Sequence, residues 1–513
     1  MGIISLALAL AAVYYTWTYL NKPKKNLPPG PKPLPIVGNI LNLVARELWL
    51  PASKWAQEYG GIVYIHVFGQ SLVFLNDYEV ALELLEKRGA IYSDRPGFVM
   101  AGELCGCNNM VAFARYGDQT RRHRRLMQQA LGISSIRRYE PLLEVEVKDL
   151  LKRMLVSPED YTGNIQRYAG SMTLNTVYGY HVQSNEDKYI KMADEVVNIL
   201  ANDISSGGGI WPVDIIPALQ YLPDWFPGSA FKRKAATWKA KLENFVDRPY
   251  EWVKERMRDG TAVPSFCSTL LEDLQERCEK EADPQRESDI KWTANSIYAS
   301  SIDTMLTTVD HFILAMILHP EKLVKAQEEM DRVVGSGRLP TFADRPSLPY
   351  LEAIMNESLR WGAPVPLSLP HRLMEDDVYN GMFIPKGSLV FGNVWTMIRD
   401  PKLFPNPEEF LPERYLETVD EHTARRRDPR NYVFGFGRRR CPGNHLAESS
   451  LWIVMASMVA TLDMKKAVDA QGNVIEPTIS FENSVFRTPS PFKCDIRPRS
   501  EQALRLVRQA TEA

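Results

Sequence analysis

Hydrophobic residues recur along the chain at two periods, one short stretch alternating as a strand does and the rest spaced as in helices. Residues 62–76 (IVYIHVFGQSLVFLN) place β-branched and aromatic side chains on both sides of Gly69-Gln70, which predicts a hairpin. Almost everything after it is helical in spacing. Residues 288–319 form the longest run, capped by Ser288 or Asp289 and stopped by Pro320. Its centre, residues 297–308, is so rich in hydroxyls and β-branched side chains that a local distortion of the helical ladder is expected there. Residues 348–361 predict another helix, ended by Pro364, and residues 444–448 the start of one more. Residues 116–127 open a basic helix. Residues 210–231, dense in Trp, Phe, Ile and Pro, are too broken by proline for a regular helix. They read equally as core or as an apolar patch that dips into a lipid surface. The fold class is mainly α with small β-sheets.

At the N-terminus the pattern changes. Residues 2–20 are uncharged and mostly apolar, and at about 1.5 Å per residue such a helix just crosses a hydrocarbon core of about 30 Å. Lys22, Lys24 and Lys25 follow at once, which places the C-terminal side in the cytosol. No basic residue precedes the apolar run, which weakens the reading as a cleaved signal peptide. Six prolines and glycines then crowd residues 28–35, too many for a helix, and predict a stiff extended spacer. The expected organisation is an anchor at 1–20, a basic, proline-rich hinge at 21–38 and one large body at 39–513.

Composition narrows the function. The chain of 513 residues is 45% hydrophobic and 24% charged, enough for a large core. A net charge of −2 argues against a nucleic-acid binder. Six cysteines at irregular spacing do not make a disulfide framework, so the body is expected in a reducing compartment.

One of those cysteines carries the chemistry. Residues 434–443 (FGFGRRRCPG) fit F-x-x-G-x-R-x-C-x-G at every fixed position: Phe434, Gly437, Arg439, Cys441 and Gly443. A thiolate there suits haem iron of the kind used to split dioxygen. The sulfur needs positive charge and amide donors to shed its proton, and Arg438, Arg439 and Arg440 are candidates for the charge. Gly437 and Gly443 let the backbone wrap Cys441, Phe434 would keep water off the sulfur, and the helix start after Pro442 favours an anion. Glu357 and Arg360, three residues apart, share a helix face. With the segment Pro412-Glu413-Arg414-Tyr415 downstream they could form a buried charge network.

Taken together, these motifs resemble those of the cytochrome P-450 family, specifically its membrane-anchored fungal members, from about Leu27 to Cys494. The resemblance implies a triangular helical prism, haem b with Cys441 as its axial ligand, and a lock of Glu357, Arg360 and Arg414. By the same resemblance Arg124, His371 and Arg439 bind the haem propionates, and Asp303 and Thr304 relay protons. The sequence departs from the family twice. Thr120 stands where a tryptophan usually donates to a propionate, which should loosen the haem, and Ser301 replaces the glycine that makes room for dioxygen. The implied pocket residues are Met110, Val111, Phe113, Ile297, Ser300, Ser301, Val365, Leu367 and Val485.

The resemblance further implies hydroxylation of a C–H bond with O2. Since the chain carries no flavin or nicotinamide motif, electrons must come from a partner, an NADPH-cytochrome P-450 reductase docking near Arg121, Arg125, Arg438 and Arg440. The expected protein is a monomer held in the endoplasmic reticulum membrane by a single span, its body facing the cytosol. A lipophilic terpenoid is the first choice of substrate, with an aromatic polyketide or an indole compound as alternatives. Outside this class stand a non-catalytic haem-binding protein and a haem-thiolate enzyme that rearranges peroxides without a reductase.

Overall fold

A computed structural model describes residues 25–44, 46–205, 211–277, 283–483 and 485–510. The anchor expected at residues 1–20, together with Lys22 and Lys24, lies outside them. The described part is mainly helical with small sheets, as the spacing predicts. The principal helices are α1 (Asp118–Leu131), α2 (Glu140–Val156), α3 (Tyr161–Tyr178), α4 (Pro284–Leu318), α5 (Pro349–Gly362) and α6 (Asn444–Thr461).

The predicted hairpin forms as β1 (Ile62–Val67) and β2 (Gln70–Leu75), turning at Phe68 and Gly69, both at positive φ. Strand β3 (His371–Arg372) is followed by the small hairpin β4 (Asp377–Tyr379) and β5 (Met382–Ile384), then by β6 (Leu389–Gly392). The larger sheet runs β1-β2-β6-β3, with β2 and β6 parallel at Phe74↔Phe391 and β3 antiparallel to β6 at His371↔Val390. His371 thereby sits on the sheet's edge strand. Near the C-terminus β7 (Leu462–Lys466) pairs with β10 (Cys494–Pro498), and β8 (Phe481–Asn483) with β9 (Arg487–Pro489).

Helix α4 is the axis of the main core. From Val309 to Ile317 every residue is buried, the all-round burial that marks a helix enclosed by others rather than facing solvent on one side. It differs from the sequence expectation in two ways. It starts at Pro284, capped by the Asp283 carboxylate accepting from the Arg286 N–H, not at Ser288 or Asp289. Pro at the first position is pre-set for helix and has no N–H to leave unsatisfied. The ladder is also unbroken through residues 297–308. The hydroxyls bond back along the helix instead: Ser296 to Trp292 O, Thr304 to Ser300 O and Thr308 to Thr304 O.

The proline-rich segment is extended, yet it lies against the body. Tyr64 N–H donates to Pro29 O and Asn39 N–H to His66 O, and a Cβ on Gly30 would fall 2.0 Å from Tyr64 O. Residues 211–226 break into a short helix (Pro212–Ile215) and a 3-10 turn (Pro217–Tyr221). Trp211 packs on the main core, whereas Tyr221 and Trp225 are each 80% exposed, so the core reading fails for the outer part of this segment.

Candidate active site

The loop before α6 turns on glycines at Gly435 (φ +74°) and Gly437 (φ +52°). Gly437 is required sterically, because a Cβ there would meet Leu85 O at 2.2 Å. Gly443 is different. Its φ is an ordinary −91°, and an added Cβ would come only to 3.9 Å from Cys441 Sγ, so its value lies in the N–H it aims at the sulfur. The Cys441 N–H donates to Phe434 O at 2.7 Å, closing the loop. Phe434 is therefore tied in through its backbone.

Cys441 is exposed by its accessible surface, yet desolvation by the protein packed around the sulfur pushes the thiol up, while the Gly443 N–H, Arg124 and Arg440 pull it down, with a net upward direction. Binding iron would have to displace that proton. Of the three consecutive arginines only Arg440 acts on the sulfur, together with Arg124 of α1. Arg438 is exposed and donates to Tyr116 Oη at 2.6 Å. Arg439 turns inward and donates to Ser93 O, Val111 O and Ala114 O, pinning residues 93–114 to the cysteine loop. Arg124, from α1, donates to Arg440 O at 2.8 Å.

A cluster of buried cations stands beside this loop. Arg95, which sequence reasoning missed, donates to Leu369 O at 2.7 Å and Pro370 O at 2.8 Å, and its Nε has no partner. Burial, then repulsion from Arg439 and Arg124, pushes its pKa well down. Burial and Arg124 likewise bring Arg439 down to about 10. His371 is buried and held neutral by desolvation and by Arg95, with its Nδ1–H donating to Tyr92 O at 2.8 Å. Such a cluster is costly without an anion. A haem, with two propionates, fits it: Arg95, Arg124, Arg439 and His371 would hold the carboxylates, which in turn favour an imidazolium donating through Nε2. Thr120 is fully buried and spends its hydroxyl on Arg115 O, so it leaves that position without a donor to the cluster.

On α4, burial raises the Asp303 carboxyl to about 7, helped by Asp194. Thr304 Oγ1 donates to Ser300 O, leaving its lone pairs to accept. Ser300 donates to Ile297 O, and Ser301 donates to Tyr298 O while accepting from Thr173 Oγ1 at 2.8 Å, so its hydroxyl is committed to α3.

A cavity lined by Arg95, Phe98, Phe113, Leu367, Leu369 and Val485, among others, opens beside the arginine cluster. Of the expected pocket residues it gathers Phe113, Leu367 and Val485. Met110, Val111 and Ile297 are instead buried in the main core, and Val111 N–H donates to Ser296 Oγ of α4. Ser300, Ser301 and Val365 do not line this cavity.

Glu357 and Arg360 are both fully buried on α5, and Arg414 joins them. The same carboxylate accepts the Leu411 N–H at 2.8 Å, and Arg360 also donates to Pro407 O and Glu409 O. The loop that follows α5 toward the cavity thus grows from a fixed end.

The model of the Cytochrome P450 family matches residues 28–495. Cytochrome P450 monooxygenase claT of Ampulloclitocybe clavipes is 39% identical over 513 residues, covering 100% of this chain and 99% of the relative. Cytochrome P450 monooxygenase claR of the same fungus is 40% identical over 512 residues, with 99% and 92% covered. Tryptamine 4-monooxygenase of Psilocybe cyanescens is 35% identical over 511 residues, with 99% and 100% covered. With relatives matched end to end and a cation cluster suited to a dicarboxylate porphyrin beside a cysteine loop, the chain belongs to the cytochrome P450 family, whose monooxygenases use a haem with a cysteine thiolate on its iron.

Proposed function

We propose that the protein hydroxylates a C–H bond of a lipophilic small molecule in fungal secondary metabolism, with Cys441 as the iron ligand. The observation that carries this reading is the cysteine loop itself, with Arg124, Arg440 and the Gly443 N–H converging on one sulfur. A haem held there supplies dioxygen activation, aided by electron donation from the thiolate. The chain's own contribution is position and protons. Asp303, which keeps a proton up to about pH 7, is the proton source, and Thr304 accepts and orients the water between. The cavity of Phe98, Phe113, Leu367 and Val485 excludes water and selects an apolar substrate.

A terpenoid is the first reading of the substrate. An indole compound is the second, favoured by the relative that acts on tryptamine. Electrons come from an NADPH-cytochrome P-450 reductase docking on the face of Arg121, Arg125 and Arg438, all exposed. Residues 1–20 anchor a monomer in the endoplasmic reticulum membrane, and Tyr221 and Trp225 touch the lipid surface. The test is to incubate membranes carrying the protein and the reductase with terpenes, indoles and aromatic polyketides, and to follow products by mass spectrometry. An oxygenated product that needs NADPH and reductase supports the reading; turnover with peroxide alone, or no turnover of any class, refutes it.

A further inference from the structure

Two buried residues outside the proton relay, His311 and Arg487, are bonded to each other across 176 positions of the chain. His311 lies on α4, two turns beyond Thr304, and is fully buried. Its Nδ1–H donates to Thr307 O at 2.7 Å, which fixes the tautomer and leaves Nε2 as an acceptor. Arg487 Nη1 donates to that Nε2 at 2.9 Å. Desolvation and the facing Arg487 push the imidazole down to about 3, so it accepts throughout the working range of pH.

Arg487 opens β9, and its remaining donors reach a third element. Nη1 also donates to Gly362 O at 3.1 Å, and the backbone N–H donates to Pro364 O at 3.1 Å. The surroundings are shaped for the pair. The guanidinium lies 3.3 Å over the Phe481 ring, on which His311 is also stacked, and 4.8 Å over Trp395. Gly362 makes room for the imidazole, since a Cβ there would fall 2.8 Å from His311 Cγ. Thr307 Oγ1 and Thr488 Oγ1, 2.8 Å apart, add a second tie between α4 and β9.

An apolar side chain would fill this space without the cost of burying a cation. What an arginine adds is direction: two of the three elements it joins lead into segments that line the cavity, and the third, α4, lines none of it but carries the proton relay. Val485 lies two residues before Arg487, Leu367 and Leu369 follow soon after Pro364, and α4 carries Asp303 and Thr304. We propose that Arg487, bonded to His311, is a positioning residue for substrate specificity, holding the Val485 turn, the strip of residues 364–370 and α4 in one fixed relation. The inference rests on the cavity being the substrate site.

Its test uses the full-length holoprotein and two iron-binding probes, imidazole and phenylimidazole, titrated by the shift of the Soret band. Imidazole reads the haem alone; the phenyl group reads the walls. Arg487→Lys, Arg487→Leu and His311→Phe are expected to keep the thiolate-type carbon monoxide spectrum and their imidazole affinity, and to lose about tenfold in phenylimidazole affinity. His311→Gln, whose amide oxygen can accept the same bond, should recover most of the loss. An unchanged ratio of the two affinities in Arg487→Lys and His311→Phe overturns the inference. So does a ratio that falls equally in His311→Gln and His311→Phe. Should Arg487→Leu not fold, His311→Phe carries the same expectation with the arginine in place. Val485→Phe and Leu367→Ala separate the two readings. If they leave the ratio unmoved, the cavity is not the ligand site and both readings fall; if they move it while the Arg487 and His311 variants do not, only the positioning role falls.

Discussion

Glu357 grips Arg360 through two parallel hydrogen bonds, Nε to Oε2 and Nη2 to Oε1, each 2.8 Å long and shut away from solvent. Arg414 Nε reaches the same carboxylate at 3.3 Å. A single acid thus neutralises two buried guanidiniums, and truncating it strands both. Glu357→Ala is expected to cost about 3–5 kcal/mol, the typical penalty for breaking a buried pair. Urea unfolding of the holoprotein checks this; a loss below about 1 kcal/mol would mark the pair as an ordinary surface-like contact.

The proton on Asp303 sets a pH dependence. Its carboxyl is raised to about 7, so it can donate below that pH and is increasingly charged above it. Turnover with reductase should fall as pH rises through about 7. Asp303→Asn should lower turnover about a hundredfold and flatten that limb. A variant that keeps both the rate and the limb would remove Asp303 from the proton path.

Asp310, on the same helix, has no such use. It is buried, its Oδ1 lacks a hydrogen-bond partner, and burial pushes its pKa well up. The folded state therefore keeps a proton that the unfolded chain releases above about pH 4, and stability falls as pH rises from there. Asp310→Asn should be more stable than the parent in urea, by a margin that grows from about pH 5 to about pH 8. A margin independent of pH would show that the acid is not held protonated.

Arg95 is expected to secure the haem where Thr120 cannot. Arg95→Leu should speed haem transfer to apomyoglobin about tenfold, the scale of one lost charge-assisted hydrogen bond. Unchanged transfer would assign Arg95 only to the carbonyls of Leu369 and Pro370.

The contrast between Arg360 and Arg95 shows where the sequence is readable. Glu357 and Arg360 lie three apart on one helix, so their meeting follows from helical geometry alone. Gly437 was likewise legible, since a tight wrap around Cys441 calls for a residue without a side chain. Arg95 meets its partners across 274 residues and Arg487 meets His311 across 176, and no local period records such pairings. The start of helix α4 is not legible locally, because Ser288 and Asp289 are good caps in isolation, whereas Asp283 followed by Pro284 is the better pair. The hydroxyls of α4 suggest a break, yet they bond back to carbonyls of their own helix, Thr304 to Ser300 O and Thr308 to Thr304 O, and leave the ladder intact.

Dioxygen chemistry in this chain depends on Cys441 providing the thiolate. The most direct test is the carbon monoxide difference spectrum of the reduced holoprotein, compared with that of Cys441→Ala. The wild-type chain should give the long-wavelength Soret band of a haem-thiolate, and the variant should lose it entirely. A thiolate band that survives in Cys441→Ala, or a wild-type spectrum of imidazole type, would contradict the account.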